Sequence, residues 1–262
     1  MRASLAPSLF LFFLCVYGCN TPQVNKVTLS APSSARIIIP GSGIAIRSFS
    51  VVPNSNDFEE ILRNFGEELG DHQLQQRLAS EGMTVRIIDA IDVPAIAALL
   101  GEPHEERFDW HGQIMNWRDV LQRKMPSSGM LVTVGGISHL VDHGYLTLLA
   151  RGWQMGMEDG DQLYLQLLPV WHVPSDHGLV PGKENAPSES RVFSELMIEC
   201  LLDNDQALLV VTQLEPEKVI TGPLDEGPSA IRLGEALMGG PVEDPIQTFL
   251  LFEAHVGFEG DK

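Results

Sequence analysis

The spacing of apolar positions predicts a strand followed by a helix at the start of the folded part of the chain. Residues 44–53 (IAIRSFSVVP) are typical of a strand. The next residues predict a helix, with Asn56 as its capping residue and Glu59 three positions later. Its apolar residues recur at helical spacing, and they are Phe58, Ile61, Leu62, Phe65 and Leu69.

Three further elements are predicted in this half of the chain. A second helix is expected over residues 73–80, and Gly82 is expected to end it in the left-handed conformation. The run MTVRIID (83–89) predicts a strand, and VPAIAALLG (93–101) predicts a short helix with Pro94 in its first turn. The first half is therefore expected to contain both helices and strands.

Beyond residue 126 the pattern changes to strands alone. Strands are predicted in GMLVTVGG, GYLTLLARGWQMGM and DQLYLQLLPVWHV, with a turn at 158–161 between the last two. In the third of these runs one face is apolar, formed by Leu163, Leu165, Leu167, Trp171 and Val173. Tyr164, Gln166 and His172 lie on the other face, which predicts a half-buried antiparallel strand.

Polar loops at 174–190 and 215–228 separate the remaining strands. The runs RVFSELMIECLL and ALLVVTQL flank a turn at 203–205 and predict a hairpin, and IQTFLLFEAHVGF predicts a closing strand. The expected fold class is α+β. A small N-terminal α/β unit (43–125) would be followed by a mainly antiparallel β unit (126–262), arranged as a sandwich or a curved sheet.

Composition places the chain among globular proteins and argues against one class of partner. Of its 262 residues 44% are hydrophobic and 20% are charged, which is the ordinary range for a folded protein. The formal net charge of −18 would repel a phosphate backbone over most of the surface. Nucleic acid is therefore not an expected partner.

The first residues have the pattern of an export signal. Arg2 provides a positive charge, and residues 9–16 form an apolar run too short for a stable membrane-spanning helix. Residues 1–18 are therefore interpreted as a signal peptide. Residues 19–42, rich in Ser, Thr, Asn, Pro and Ala, are interpreted as a flexible tether.

The stretch Val16-Tyr17-Gly18-Cys19 resembles the bacterial lipobox, with an aliphatic residue at −3 and a small residue at −1. Tyr17 stands where small residues are usual. The resemblance implies that Cys19 becomes a lipidated N-terminus, and Asn20 in the next position favours the outer membrane, facing the periplasm. The alternative is an ordinary secretory signal cleaved elsewhere, with Cys19 incidental.

Cysteine usage is compatible with export. Cleavage before Cys19 would remove Cys15 and leave Cys200 as the remaining thiol, so no intramolecular disulfide is expected. Alternating apolar residues place Cys200 on one face of a strand with Val192, Leu196, Ile198 and Leu202. Cys200 is thus interpreted as a small buried hydrophobic residue, and a catalytic thiol is the alternative.

Histidines are the candidate metal ligands. His139 and His143 have the i, i+4 spacing that on a helix would let both bind Zn²⁺, and His172 and His177 lie near a loop. Glycines around the first pair favour a loop or strand, where side chains four residues apart stand more than about 12 Å apart. No metal, cofactor or catalytic residue is therefore predicted.

The chain contains four tryptophans, Trp110, Trp117, Trp153 and Trp171. They are interpreted as core or half-core residues, with a binding surface as the alternative.

Two resemblances extend along the chain. The run DNDQALLVV followed by LGEALMGGPVEDPIQTFLLFEAHV is similar to the end of bacterial secretins, although residues 236–240 replace their Pro-Leu-Leu-Gly segment. The runs RLASEGMTVRI, GYLTLLARGWQMGMEDGDQLYLQLLPVWHV and FSELMIECLLDNDQALLVV resemble a group of envelope proteins from planctomycete bacteria. The second resemblance implies an envelope location and no particular reaction.

The function expected from these patterns is that of a non-enzymatic, lipid-anchored cell-envelope protein with a structural or assembly role. Its expected partners are the membrane, through the lipid, and an envelope or secretion protein. The alternatives are a component associated with a secretion channel and an exported metal-dependent hydrolase that uses His139, His143, His172 or His177.

Overall fold

A computed structural model describes residues 41–52, 55–158, 160–173, 190–212, 230–239 and 246–256, without the side chains of 55–59. These residues belong to one compact unit of the chain, residues 39–262. Their strands are β1 Gly43–Val51, β2 Glu67–Glu68, β3 Met83–Asp89, β4 Glu105–Gly112, β5 Ile114–Lys124, β6 Met130–Val134, β7 Ile137–Val141, β8 Tyr145–Met157, β9 Gly160–His172, β10 Ser190–Val192, β11 Ile198–Leu202, β12 Gln206–Thr212, β13 Ile231–Arg232 and β14 Gln247–His255. Their α-helices are α1 Ser55–Asn64, α2 His72–Ser80, α3 Val93–Leu100 and α4 Leu233–Met238.

The strands form three sheets. The first is antiparallel and has the order β2-β3-β12-β14-β1-β4. The second has the order β10-β9-β8-β5. β10 and β11 pair with the same edge of β9, β10 near the C-terminal end of that strand and β11 nearer its start. The third is small, with β13 parallel to β6 and β7 antiparallel to β6.

The central strands of the first sheet, β12 and β14, are apolar on both faces, and each face packs into a separate core. On β14, Leu250 and Phe252 belong to the core shared with the second sheet, whereas Phe249 and Leu251 pack toward α1 and α3. Each of these four side chains is at most 1% exposed. Continuous apolar runs such as TFLLF therefore mark strands buried on both sides.

The two large sheets approach each other closely at one glycine. A Cβ added to Gly152 on β8 would lie 2.6 Å from the Cδ1 atom of Ile44 on β1 and 2.6 Å from the carbonyl oxygen of Tyr164. Glycine at this position lets the backbone of the second sheet lie against a side chain of the first.

The predicted α+β class is wrong, because the structure is mostly β and the N-terminal part forms no α/β unit. In the first sheet, β12 and β14 lie between β3 and β1, so strands of residues 43–125 complete their ladders with strands from near the C-terminus. The predicted antiparallel β character of the later residues agrees with the structure.

The predicted hairpin of two late strands is also wrong. β11 pairs with β9 in the second sheet, whereas β12 pairs with β3 and β14 in the first. The turn at 203–205 thus carries the chain from one sheet to the other.

The burial of β9 also differs from the prediction. This strand is buried on both faces from Leu165 to Val170, so the expectation of a half-buried strand is wrong there.

Several local predictions are confirmed. The strand predicted over 83–89 is β3, and the strand predicted over 44–53 is β1 with slightly different ends. Asp71 caps the N-terminus of α2. Its side chain accepts hydrogen bonds from the backbone N–H groups of Gln73 at 2.9 Å and Leu74 at 3.1 Å. Gly82 has a φ of +73° just after this helix, as expected. One helix differs in length: the apolar spacing predicted that the first helix reaches Leu69, but α1 ends at Asn64.

Candidate binding face and cleft on the second sheet

The second sheet carries a row of polar and aromatic side chains on the face turned away from the shared core. On β8, Ala150 is buried in that core, and Arg151 and Trp153 alternate with it and with Gly152. On β9, Tyr164 and Gln166 alternate in the same way with buried Leu165. The strand register places Arg151 opposite Gln166 and Trp153 opposite Tyr164.

Arg151 joins the two tryptophans of this row. Its guanidinium carbon lies 4.5 Å from the ring centroid of Trp117 on β5 and 5.7 Å from that of Trp153. Both distances fall within the range of favourable cation–π contact. Trp153 also meets Tyr164 edge to face, with ring centroids 4.9 Å apart.

Hydrogen bonds continue the row to β11. The Nε of Arg151 donates to the side-chain oxygen of Gln166, which is only 4% exposed. The amide of Gln166 donates to the Tyr164 hydroxyl at 2.7 Å and to Glu199 Oε1. The Tyr164 hydroxyl donates to the same Glu199 oxygen at 3.0 Å. We call these six residues, Trp117, Arg151, Trp153, Tyr164, Gln166 and Glu199, the Trp–Arg row.

The protonation state of Tyr164 follows from its neighbours. Burial raises the pKa of Tyr164, and the hydrogen bond and negative charge of Glu199 raise it further. The phenol therefore keeps its proton at neutral pH and serves as a hydrogen-bond donor.

A cleft of about 410 Å³ lies beside β11, next to the end of the row formed by Glu199. One wall comes from β11 and the residues just before it, and the other from α2, β3 and the turn before α2. The apolar lining residues are Leu69, Leu74, Ile87, Met197, Cys200 and Leu201, and the charged ones are Asp71, Arg77, Glu195 and Glu199.

Cys200 is buried, as predicted, with 8% of its surface exposed. Burial raises the pKa of its thiol to about 12. The thiol is therefore neutral at physiological pH and is a poor nucleophile.

The described histidines singled out from the sequence make different side-chain contacts. His139 lies on β7, where its Nδ1 accepts a hydrogen bond from Arg191 at 3.1 Å, since an arginine only donates. Burial, followed by the charge of Arg191, lowers the pKa of His139. His143 has a positive φ of 41° in the turn after β7, and its Nδ1 lies 3.6 Å from Asp142 Oδ2. His172 stacks on Tyr145 with ring centroids 5.8 Å apart.

Two candidate residues lie outside the described part of the chain, namely His177 and the predicted lipidation site Cys19. Within the described ranges, no three His, Cys, Asp or Glu side chains are grouped so that they could hold a metal ion.

The sequence pattern did not distinguish the four tryptophans, but the structure separates them. Trp117 and Trp153 belong to the Trp–Arg row. Trp110 on β4 contacts His255 edge to face, with ring centroids 5.6 Å apart. The indole N–H of Trp171 donates a hydrogen bond to the carbonyl oxygen of His143 at 3.1 Å. The alternation of Arg151 with Trp153 and of Tyr164 with Gln166 on adjacent strands is the sequence signal that indicates the row.

Comparison with known proteins adds no relative. No protein-family model matches the chain, and neither characterised proteins nor solved structures yield a match. Among the described residues, no helix has both the length and the apolar character needed to cross a membrane.

Proposed function

We propose that this chain is a non-enzymatic, lipid-anchored cell-envelope protein with a structural or assembly role. Its anchor is a lipid on Cys19, and it faces the periplasm from the outer membrane. The support for the anchor is the apolar run at residues 9–16 with Gly18 and Cys19 directly after it. Several acyl chains on one cysteine hold a protein at a membrane far better than a single chain does.

The Trp–Arg row is the observation that favours binding over catalysis. A general acid or base works best when its pKa lies near the operating pH. The pKa of Tyr164 is raised away from neutrality, and that of the nearby thiol of Cys200 is raised to about 12. These two groups therefore keep their protons. Arg151, Tyr164 and the two tryptophans of the row form an aromatic and cationic surface, which is the chemistry of a recognition surface.

Metabolic labelling with palmitate tests the anchor. We expect the wild-type chain to incorporate palmitate, and we expect globomycin to cause the unprocessed precursor to accumulate. Cys19→Ala is expected to abolish labelling, whereas Cys15→Ala is the matched control and is expected to leave it unchanged, since Cys15 lies within the signal. An unlabelled, freely soluble mature protein would contradict the proposal.

The cleft beside β11 favours one second candidate, a component associated with a secretion channel. Cleft and strand together offer a place where a partner could add a strand to the sheet. Crosslinking in cells followed by purification of the chain tests this candidate. Recovery of a secretin would support it, and recovery of the chain without any secretin would count against it.

A further inference from the structure

The edge of β11 opposite β9 lies beside the cleft. β11 pairs with β9 through the five residues Ile198–Leu202. Within the part of the chain that the structure describes, no strand pairs with its opposite edge. An unpaired strand edge presents a row of backbone N–H and C=O groups, which can form hydrogen bonds with an added chain.

The cleft provides different surroundings for the two faces of an added strand. Toward the interior, Cys200, Leu74 and Leu69 are 8%, 7% and 6% exposed, so they form an apolar floor. Toward the outside, Glu199 and Leu201 alternate with the buried residues of β11. Side chains of an added strand also alternate between two faces, so apolar residues would meet the floor and every second residue would lie beside Glu199 or Leu201.

Charge around the cleft selects among extended peptides. Asp71, Glu195 and Glu199 contribute three carboxylates, and Arg77 contributes one guanidinium. The chain as a whole carries a formal net charge of −18. A strand with basic residues on its outward face therefore gains cross-strand attraction at Glu199, whereas an acidic strand is repelled.

We propose that the cleft beside β11 binds an extended basic segment of a partner protein, which adds to the edge of β11 opposite β9 as a sixth strand of the second sheet. The segment alternates apolar residues, directed at the floor, with lysine or arginine residues directed outward. This inference rests on the proposed assembly role and names the class of partner.

The test is selection of nonapeptides from a random phage-displayed library on the full-length chain in detergent. We expect enriched peptides with apolar and basic residues in alternation. A synthetic copy of the best peptide should slow hydrogen exchange at residues 198–202 and leave β4, an edge of the first sheet, unchanged. N-methylation of alternate backbone amides should weaken binding about tenfold or more, because it removes strand hydrogen bonds and keeps every side chain.

A charge variant provides an independent check. Glu199→Gln keeps a side-chain oxygen that accepts from Tyr164 and Gln166 but removes the charge, so it should weaken binding of the basic peptide several-fold and reduce its salt dependence. Glu105→Gln, on the exposed surface of β4, is the matched control and should bind as the wild type does.

Three results would overturn the inference: no enrichment of alternating basic peptides, equal binding of the N-methylated copy, or protection away from residues 198–202. The labelling experiment separates this failure from that of the proposed function. A chain that incorporates palmitate yet selects no such peptide refutes the added strand alone, and a chain that binds the peptide without incorporating palmitate refutes the anchor alone.

Discussion

Replacing Arg151 by methionine tests the Trp–Arg row as a physical unit. The guanidinium contacts two indole rings, and each cation–π contact contributes about 0.5–1 kcal/mol at a partly exposed site. The change also removes the donor to Gln166, whose side chain is nearly buried, and an unsatisfied buried acceptor costs about 1–3 kcal/mol. The expected loss in the free energy of unfolding is therefore about 2–5 kcal/mol.

Urea unfolding followed by far-ultraviolet circular dichroism measures this loss without relying on the fluorescence of the tryptophans that Arg151 contacts. Arg107→Met is the matched control, because Arg107 is 65% exposed and its only described ion pair, with Asp109, spans 3.9 Å. That variant should lose no more than about 0.5 kcal/mol. Equal losses for the two variants would refute the idea that Arg151 holds the row together.

Three further predictions concern packing, pH and reactivity. Gly152→Ala should destabilise the chain by about 1–3 kcal/mol in urea unfolding, since its Cβ would meet Ile44, whereas Gly70→Ala, with open space around it, should change stability by less than about 0.5 kcal/mol. Burial lowers the pKa of His255 below its usual 6.5, so the unfolded chain binds the proton more readily. The free energy of unfolding should therefore fall as the pH drops below 6.5 until the folded pKa is reached, and this fall should be smaller in His255→Gln. Peptide mapping should show that iodoacetamide modifies Cys200 about a thousandfold more slowly in the native chain than in urea.

Local patterns in the sequence were sufficient to predict many individual strands but not their partners. The run MTVRIID predicts β3 and IQTFLLFEAHVGF predicts β14, because a buried strand carries its apolar signal in a few residues. The short turn at 203–205 favoured pairing of the strands on either side of it. The apolar side chains on both faces of β12 instead require cover on both sides, and the middle of the first sheet provides that cover.

The strands of residues 105–124 were not predicted from the sequence. β4 and β5 lie at the edges of their sheets, and most of their side chains are exposed or half-buried. Charged runs such as EERFDWHG therefore carry little of the alternation that predicts a strand. As a result, Trp117 on β5 could not be placed beside Arg151 on β8, although Trp153 lies only two residues from that arginine.

The cleft was also not predicted from the sequence. Its two walls come from residues 69–87 and 194–201, and they meet because β12 joins β3 in the first sheet while β11, one turn earlier, joins β9 in the second. Long-range pairing of this kind depends on the whole core and on no single segment.

The mass of the N-terminal peptide of the mature protein, purified from membranes, tests the central claim most directly. We predict that this peptide begins at Cys19 and carries a diacylglyceryl group, with a further acyl chain on its amino group. An unmodified peptide that begins at any other residue would contradict the lipid anchor.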